Sequence, residues 1–248
     1  MYADVIHANN VLAHVADLNG FVAGLATLLA PAGVAVIEFP YLRDLLERTE
    51  FDTIYHEHLC YFSLTAIDRL FQQNGLRLVD VERIAIHGGS LRITAARADT
   101  SEPGTERVTA LLAEEERWGV HRAATYEQFA GRVETLKREL ISLLERLKQE
   151  GKTIAAYGAS AKGSTLLNYC GIGGETLDFV ADRSTAKQGR LTPGTHLPIL
   201  PAQALVDRMP DYVLLLTWNF KEEIFDQQRE YLSRGGRFIV PIPKVEIL

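Results

Sequence analysis

The stretch 152-KTIAAYGASAKGSTLLNYCG-171 runs from an apolar strand through a glycine-containing turn into a helix. The same alternation continues: residues 177–182 and 211–218 are apolar strands, and residues 201–209 and 220–235 are helical in pattern. Strands that are almost entirely apolar and alternate with helices are typical of a parallel sheet covered on both faces. The C-terminal third is therefore predicted to be an α/β, doubly wound Rossmann-like domain.

The turn 158-GASAKG-163 lies between a strand and a helix, where a doubly wound fold places its phosphate site. Small residues let backbone N–H groups approach an anion, and Ser160 and Lys162 add a hydroxyl and a positive charge. Asp182 ends the next strand, where an acidic residue commonly meets a ribose hydroxyl. A tight structural turn with a solvent-facing lysine would explain the same residues. The predicted nucleotide or diphosphate contacts are Gly158, Ala159, Ser160, Ala161, Lys162, Gly163 and Asp182.

The region before this domain shows a different order of elements. Residues 17–40 are predicted to form a helix, a 31-PAG-33 turn and a buried strand. A helix over residues 63–75, with Ser63 or Thr65 as its N-cap, precedes two strands. Domain boundaries are accordingly predicted at residues 1–100, at a helical connector over 101–150, and at 151–248.

Composition and charge exclude several classes of protein. The net charge is −6, so the clustered positive charge that nucleic-acid binding needs is missing. No apolar run reaches the roughly 18 residues that span a bilayer, and the N-terminus does not resemble a signal peptide. Two separated cysteines argue against a structural zinc site or a disulfide framework. The sequence predicts a soluble cytoplasmic protein with neither nucleic acid nor membrane as its partner.

The stretch 55-YHEHLCYFS-63 concentrates titratable side chains in nine residues. As a metal site it is weak, because HEHLC is not HExxH and no further ligand cluster follows. The histidines could instead be satisfied by neighbours in a polar turn. As an acid–base site, Glu57 or Tyr55 could orient a histidine, whose pKa ordinarily lies near neutral pH. The residues alone leave the last two interpretations open.

The loop 85-AIHGGSLR-92 joins the two strands that follow the motif. Its candidate ligand contacts are His87, Ser90 and Arg92. A hairpin turn explains the glycines equally well, and Arg92 could be a surface residue.

The run 37-IEFPYLRDLLERTEFDTIYHEHLCYFSLTAIDRLFQQNGL-76, followed by 87-HGGSLR-92, resembles the S-adenosylmethionine-dependent sugar C-methyltransferases of deoxysugar biosynthesis. The later segments YGASAKGSTLLN and DRSTAKQGRLTPGTHLPI resemble the C-terminal domain of that family. The resemblance implies a partial class I methyltransferase domain joined by a helical segment to the Rossmann-like domain. It also implies methyl transfer from S-adenosylmethionine to C3 of a nucleotide-linked 4-keto-deoxysugar.

The family's catalytic residues can be placed on this sequence one by one. Its Y-x-E-H motif falls on Tyr55, Glu57 and His58, and the resemblance implies that His58 is the general base and that Glu57 holds its ring. Tyr55 and His14 would hydrogen-bond the enolate oxygen. Asn10, at the end of the first strand, is the expected contact to the cofactor.

The sequence also departs from the family. The cysteine-rich zinc module and the acidic-G-x-G-x-G cofactor loop that the family carries are not in these 248 residues. The chain is expected to begin at the fourth strand of the methyltransferase domain, to bind a nucleotide diphosphate-sugar, and alone to methylate poorly or not at all. Zinc is expected only in the N-terminal module. The half-domain should expose a sheet edge unless self-association or a partner chain covers it.

Two other functions fit parts of the pattern. One is a non-catalytic module that binds a nucleotide or nucleotide-sugar through the Rossmann-like domain. The other is a nicotinamide-dependent oxidoreductase built on the GASAKG turn.

Overall fold

The computed structural model describes residues 2–86, 88–100 and 103–248, which form two compact units. The N-terminal unit comprises Met1–Glu47 and His56–Gln128. The C-terminal unit comprises Phe129–Leu248 together with the short segment Arg48–Tyr55. No helix in the described part of the chain has the length and apolar character to cross a bilayer.

The N-terminal unit is built on a four-stranded sheet in the order β1-β2-β4-β3. β1 pairs with β2 in parallel, whereas β4 is antiparallel to both β2 and β3. The strands are β1 (Ala3–Asn9), β2 (Leu29–Pro40), β3 (Leu76–Ile84) and β4 (Ser90–Arg97). The helices are α1 (Leu18–Leu28), α2 (Leu42–Glu47), α3 (Leu64–Gln73), α4 (Glu106–Trp118) and the first residues of α5 (Ala123–Gln149).

The start of α3 shows how local chemistry sets an element of this unit. Of the two predicted N-cap candidates, Ser63 and Thr65, Ser63 is the N-cap, and its hydroxyl accepts the Ala66 N–H at 3.1 Å. The carboxylate of Glu115, from α4, accepts the N–H groups of Leu64 and Thr65 at 2.6 and 2.8 Å. A side chain distant in sequence therefore completes the cap, which the local pattern could not indicate.

One local prediction in this unit was wrong. Residues 31-PAG-33 do not form a turn but lie within β2, beside an irregularity in its pairing with β1. Gly33 fits there because an added Cβ would lie 2.6 Å from the carbonyl oxygen of Ala3. β1 is the outer strand on this side of the described sheet, and Val5 is 61% exposed. The expectation that another chain covers this edge stays a prediction.

The C-terminal unit contains a six-stranded sheet in the order β10-β9-β8-β5-β6-β7, parallel except at β10. The predicted doubly wound α/β fold is confirmed. The strands are β5 (Ile154–Tyr157), β6 (Val180–Asp182), β7 (Ile199–Pro201), β8 (Tyr212–Leu215), β9 (Arg237–Val240) and β10 (Glu246–Ile247). The helices are α6 (Ala161–Cys170), α7 (Ala204–Arg208), α8 (Lys221–Gln227) and α9 (Arg229–Ser233), with most of α5.

The strand order locates the switch point of this sheet. The chain proceeds from β5 outward through β6 and β7, then returns to the other side of β5 as β8 and continues to β9. In such sheets a ligand crevice forms at the carboxyl ends of the two strands where the direction reverses. Here that position lies between the segments that follow β5 and β8.

The compact units do not follow the predicted domain boundaries. Helices occupy much of the predicted connector, but they pack into the two cores instead of forming a body of their own. Val108 and Leu111 of α4 are buried in the N-terminal core, and Leu140 and Leu144 of α5 are buried in the C-terminal core. The segment Arg48–Tyr55 belongs to the C-terminal unit although it lies within the predicted methyltransferase region.

Candidate functional site

A backbone clamp holds the histidine-rich motif in the N-terminal unit. The N–H groups of Leu59 and Cys60 both donate to the carbonyl of Ala13, at 2.8 and 3.3 Å. Ala13 lies in a 3-10 turn, Leu12–His14, directly after β1. The ring centroids of His14 and His58 are consequently 5.1 Å apart, although 43 residues separate the two in sequence.

The hydrogen bond of His14 defines which of its nitrogens carries a proton. Its Nδ1 lies 2.7 Å from the carbonyl oxygen of Glu57, which can only accept. Nδ1 must therefore be the protonated nitrogen. In neutral His14 the Nε2 atom is then an acceptor, and it can donate to an anionic oxygen only when the ring is an imidazolium.

The other residues of the Y-x-E-H motif have separate surroundings. His58 is half-buried and its ring lies 6.1 Å from that of Tyr61 in an edge-on arrangement. The Glu57 carboxylate is exposed and lies 3.9 Å from Nε2 of His56. Tyr55 is half-buried and belongs to the C-terminal unit. The roles of Glu57 in holding the His58 ring and of Tyr55 as a donor stay predictions.

Asn10 lies just past the carboxyl end of β1 in a left-handed conformation, with φ of 53°. Its N–H donates to the carbonyl of Glu38 at 2.9 Å, which fixes the backbone. Its Oδ1 atom is buried and has no hydrogen-bond partner among the described residues. A buried acceptor without a partner is unfavourable, so this atom is suited to accept a hydrogen bond from a ligand.

The candidate contacts in the 85–92 loop are engaged within the protein. The Ser90 hydroxyl is buried and donates to the carbonyl of Ile86 at 3.2 Å. The Arg92 guanidinium lies 2.5 Å from the buried carboxylate of Glu38 and 3.5 Å from that of Glu82, across neighbouring strands. Two carboxylates already neutralise this guanidinium. The predicted contact of His87 lies outside the described residues.

The structure explains why this loop has a glycine at position 89. Its φ is +125°, and an added Cβ would lie 2.4 Å from a carboxylate oxygen of Asp44. Asp44 is itself buried and paired with Arg83 at 2.6 Å. The backbone must therefore approach this ion pair closely, which only glycine permits.

The predicted phosphate turn reaches the switch point of the six-stranded sheet. Gly158 follows β5 with φ of +95°, and an added Cβ would lie 2.5 Å from Oγ1 of Thr217, which follows β8. An added Cβ at Gly163 would lie 2.8 Å from Cβ of Leu216. Both glycines thus allow the turn to contact the segment after β8.

Several donors and acceptors of this turn are already in use. The Ser160 hydroxyl caps α6 by accepting the Gly163 N–H at 3.1 Å. The Asp182 carboxylate accepts the N–H groups of Ala159 and Ser184, both at 2.7 Å. Lys187, which the sequence did not single out, donates to the Ala159 carbonyl at 2.7 Å. Asp182 therefore organises the turn, and its predicted contact to a ribose stays a prediction.

Lys162 is not the solvent-facing lysine that a plain structural turn would have. Its Nζ donates to Oδ1 of Asn219 at 2.7 Å and lies 3.8 Å from the centre of the Trp218 ring. Sequence patterns missed Trp218 and Asn219, because only the strand order shows that residues after β8 lie beside the turn after β5.

Asp52 is a further residue that sequence patterns missed. It is fully buried, and its Oδ2 accepts the indole N–H of Trp218 at 2.8 Å. Burial raises the pKa of Asp52 to about 6, opposed by the positive charge of Lys162 and by the Trp218 hydrogen bond. Burial also lowers the pKa of Lys162, opposed by Asp52 and Glu50. A buried carboxylate of this kind is a candidate functional group.

Metal ligands are not grouped in the described parts of the chain, where no cluster of three or more His, Cys, Asp or Glu side chains could hold an ion. Cys60 and Cys170 are both free thiols.

Both halves of the chain match families of methyltransferases. Residues 2–81 match the family described as "Methyltransferase domain", and residues 85–243 match "C-methyltransferase C-terminal domain". The chain is 41% identical over 246 residues to the C-methyltransferase NovU of Streptomyces niveus. The alignment covers 99% of this chain and 59% of that protein. This chain belongs to the C-methyltransferase family.

A solved structure gives a weaker similarity. It is a chain of the complex between the Haloferax volcanii Trm112 methyltransferase activator and a methyltransferase, with 14% identity and a TM-score of 0.34. The alignment covers 39% of this chain and 54% of that one. A TM-score of this size does not establish a shared fold.

Proposed function

We propose that the protein to which this chain belongs transfers a methyl group from S-adenosylmethionine to C3 of a nucleotide-linked 4-keto-deoxysugar. His58 is the general base that forms an enolate. The observation that supports this most directly is the pair of imidazoles, His14 and His58, with ring centroids 5.1 Å apart. Membership of the C-methyltransferase family supports methyl transfer to carbon as the class of reaction.

The chemistry requires two different groups. A proton next to a ketone is a weak acid, so a site must both remove it and stabilise the negative charge that develops on the ketone oxygen. His58 takes the C3 proton. His14 donates to the enolate oxygen through Nε2 as an imidazolium, since its Nδ1 proton is held by the Glu57 carbonyl. Tyr55 is the second proposed donor, and Glu57 the group that favours the charged form of His58.

Asn10 is the proposed contact of this chain to S-adenosylmethionine. Its buried Oδ1 lacks a protein partner among the described residues and can accept from a ligand N–H or O–H. When bound, the cofactor supplies an electrophilic methyl group next to the nucleophilic carbon. The fixed backbone of Asn10 serves the alignment on which such a displacement depends.

The switch point of the C-terminal unit is the proposed site for the nucleotide diphosphate. Its position at the carboxyl ends of β5 and β8 supports this, because ligands of doubly wound sheets bind there. The predicted contacts remain those of the turn from Gly158 to Gly163, which includes Lys162. The Asp182 carboxylate stabilises the turn by accepting hydrogen bonds from the N–H groups of Ala159 and Ser184.

Solvent exchange tests the base without needing methyl transfer. Incubating the 248-residue chain with a thymidine-diphosphate 4-keto-6-deoxysugar in D₂O should replace the C3 proton by deuterium, which proton NMR follows. Because a positioned base contributes about 10²–10⁴-fold to such a step, His58→Ala should slow the exchange by at least about 100-fold. His56→Ala is the matched control, since His56 is exposed and two residues away. Undiminished exchange in His58→Ala would refute the proposed base.

The alternative function is a non-catalytic module that binds a nucleotide or nucleotide-sugar. It rests on the switch point alone and needs no contribution from the two histidines. Calorimetry with the nucleotide-sugar should show binding that weakens in Lys162→Ala under either function. Binding without any exchange at C3, in the parent chain as in His58→Ala, would favour the module.

A further inference from the structure

The segment Arg48–Tyr55 is held in the C-terminal unit by two adjacent side chains. Phe51 is buried in the core of that unit, with its ring 5.0 Å from the ring of Tyr169. Asp52 is fully buried and contacts Trp218. The segment is therefore anchored through residues that lie three and four positions before Tyr55.

The polar part of this anchor is a chain of contacts from Lys162 to Asp52. The ammonium group of Lys162 lies 3.8 Å from the centre of the Trp218 ring, and the indole N–H of the same residue donates to Asp52 at 2.8 Å. A carboxylate on the indole N–H places negative charge in the plane of the ring, on whose face the cation lies. Asn219 holds the ammonium in position with a 2.7 Å hydrogen bond.

Backbone hydrogen bonds between residues close in sequence connect the anchor to Tyr55. The Thr53 N–H donates to the Glu50 carbonyl at 3.1 Å, and the Ile54 N–H donates to the Phe51 carbonyl at 3.0 Å. The Tyr55 N–H then donates to the Thr53 carbonyl at 3.2 Å. Each residue from Asp52 to Tyr55 thus lies inside one of these consecutive turns, and a displacement of Asp52 is transmitted to Tyr55.

We propose that Lys162, acting through Trp218 and Asp52, is a positioning residue for Tyr55. The glycine-containing turn and Tyr55, the first residue of the Y-x-E-H motif, are far apart in sequence and are linked in this way within the C-terminal unit. The significance of this link rests on the proposed function, in which Tyr55 donates to the enolate oxygen. Lys162 then influences the reaction by fixing a donor, in addition to any contribution of its charge to the binding of an anion.

The contacts of Lys162 favour this role over that of a mobile phosphate contact. Moving the ammonium of Lys162 out to a phosphate would remove it from Asn219 and from the ring of Trp218. It would also weaken the positive charge that opposes the rise in the pKa of the fully buried Asp52. Losing both contacts is unfavourable, so Lys162 stays against Trp218 and Asn219.

Fluorine NMR of the full chain tests the link without substrate. Labelling with 3-fluorotyrosine marks nine tyrosines, and Tyr55→Phe identifies the Tyr55 resonance. Lys162→Met, which keeps the length but removes the charge, should abolish the shift that separates this resonance from its position in the urea-unfolded chain. Lys162→Arg should restore it, because a guanidinium also binds an aromatic face and a carboxylate.

Lys187→Met is the matched control, since Lys187 contacts the same turn through the Ala159 carbonyl. It should leave the Tyr55 resonance in place. The other tyrosine resonances show whether Lys162→Met folds. If it does not, Trp218→Phe is used instead, because it removes the indole donor and should likewise displace the Tyr55 resonance. A Tyr55 resonance that is unchanged in a folded Lys162→Met or Trp218→Phe chain would overturn the proposal. Failure of the exchange assay would leave this result intact, so the two proposals fail separately.

Discussion

Replacing Asp52 by asparagine tests whether one buried carboxyl controls the pH dependence of stability in the C-terminal unit. The side chain is fully buried, and burial raises its pKa from 3.8 to about 6, although Lys162 and the Trp218 N–H oppose the rise. Asparagine keeps an oxygen that can accept the Trp218 hydrogen bond but cannot lose a proton. The substitution therefore removes the titration while leaving the shape of the residue nearly unchanged.

The magnitude follows from the two pKa values. Between pH 3.8 and about 6 the folded protein retains a proton that the unfolded chain has released, so the free energy of unfolding falls as the pH rises. Each pH unit in this window corresponds to about 1.4 kcal/mol, which gives about 3 kcal/mol in total. This stabilisation is fully present below the lower pKa and is lost above the higher one.

Urea unfolding at pH 4 and pH 7, followed by tryptophan fluorescence, measures the effect. The chain has two tryptophans, so Trp118→Phe leaves Trp218 as the only reporter, next to Asp52 itself. The unfolding free energy at pH 4 minus that at pH 7 should be about 2 kcal/mol smaller in Asp52→Asn than in its parent, since pH 4 lies just above the lower pKa.

Comparing Asp52→Asn with its parent cancels the contributions of the other titrating groups to the pH dependence of stability. Asp226→Asn, which changes an exposed carboxyl of the same unit, should keep the pH dependence of the parent. Parallel curves of stability against pH for the parent and Asp52→Asn would refute the reasoning. The charge of Asp52 raises the pKa of Lys162, against the effect of burial, and adds to the rise in the pKa of Cys170.

Three further outcomes are expected. Glu115→Ala should lower the free energy of unfolding by about 3 kcal/mol in urea, because the buried N–H groups at the start of α3 lose their acceptor. Gly89→Ala should destabilise the chain by more than about 2 kcal/mol in thermal unfolding, because alanine meets both an unfavourable φ and the Asp44 carboxylate. Asn10→Ala should weaken S-adenosylmethionine binding by about tenfold in saturation-transfer NMR, since one hydrogen bond to the ligand is lost.

Each of these has a control in the chain. Glu116→Ala changes an exposed neighbour and should alter stability by less than about 0.5 kcal/mol. Gly131→Ala, in a helix with no atom near the added Cβ, should stabilise by about 0.5–1 kcal/mol. Asn9→Ala, at an exposed position, should bind the cofactor like the parent. Equal effects in a variant and its control would contradict the corresponding prediction.

The sequence was sufficient for the elements whose signals are local. The strand–turn–helix at residues 152–171 was predicted because an apolar strand, a turn with two glycines and a helical pattern all lie in one short stretch. The cap of α3 by Ser63 is similarly local. His14 and His58 could be grouped through the family resemblance, and the clamp at Ala13 shows the physical reason for their proximity.

The residues that sequence patterns missed act across long separations. Asp52, Trp218 and Lys162 form one cluster only because the order of the strands and the path of the segment Arg48–Tyr55 bring them together. No periodicity in the sequence marks Asp52 as buried, since acidic residues are usually exposed. Arg92 also depends on distant partners: the fold pairs it with Glu38 and Glu82, and its predicted contact to a ligand stays a prediction.

The position of β4 between β2 and β3 has a practical consequence for dividing or recombining this protein. The two family matches meet between residues 81 and 85, within or directly after β3 and before β4. A cut there would separate β3 from β4, its partner in the described sheet, and would expose one side of β2. Because the chain also leaves the N-terminal unit at Glu47 and re-enters it at His56, no single junction separates the two units. Chimaeras between relatives will therefore need at least three crossover points to exchange a unit intact.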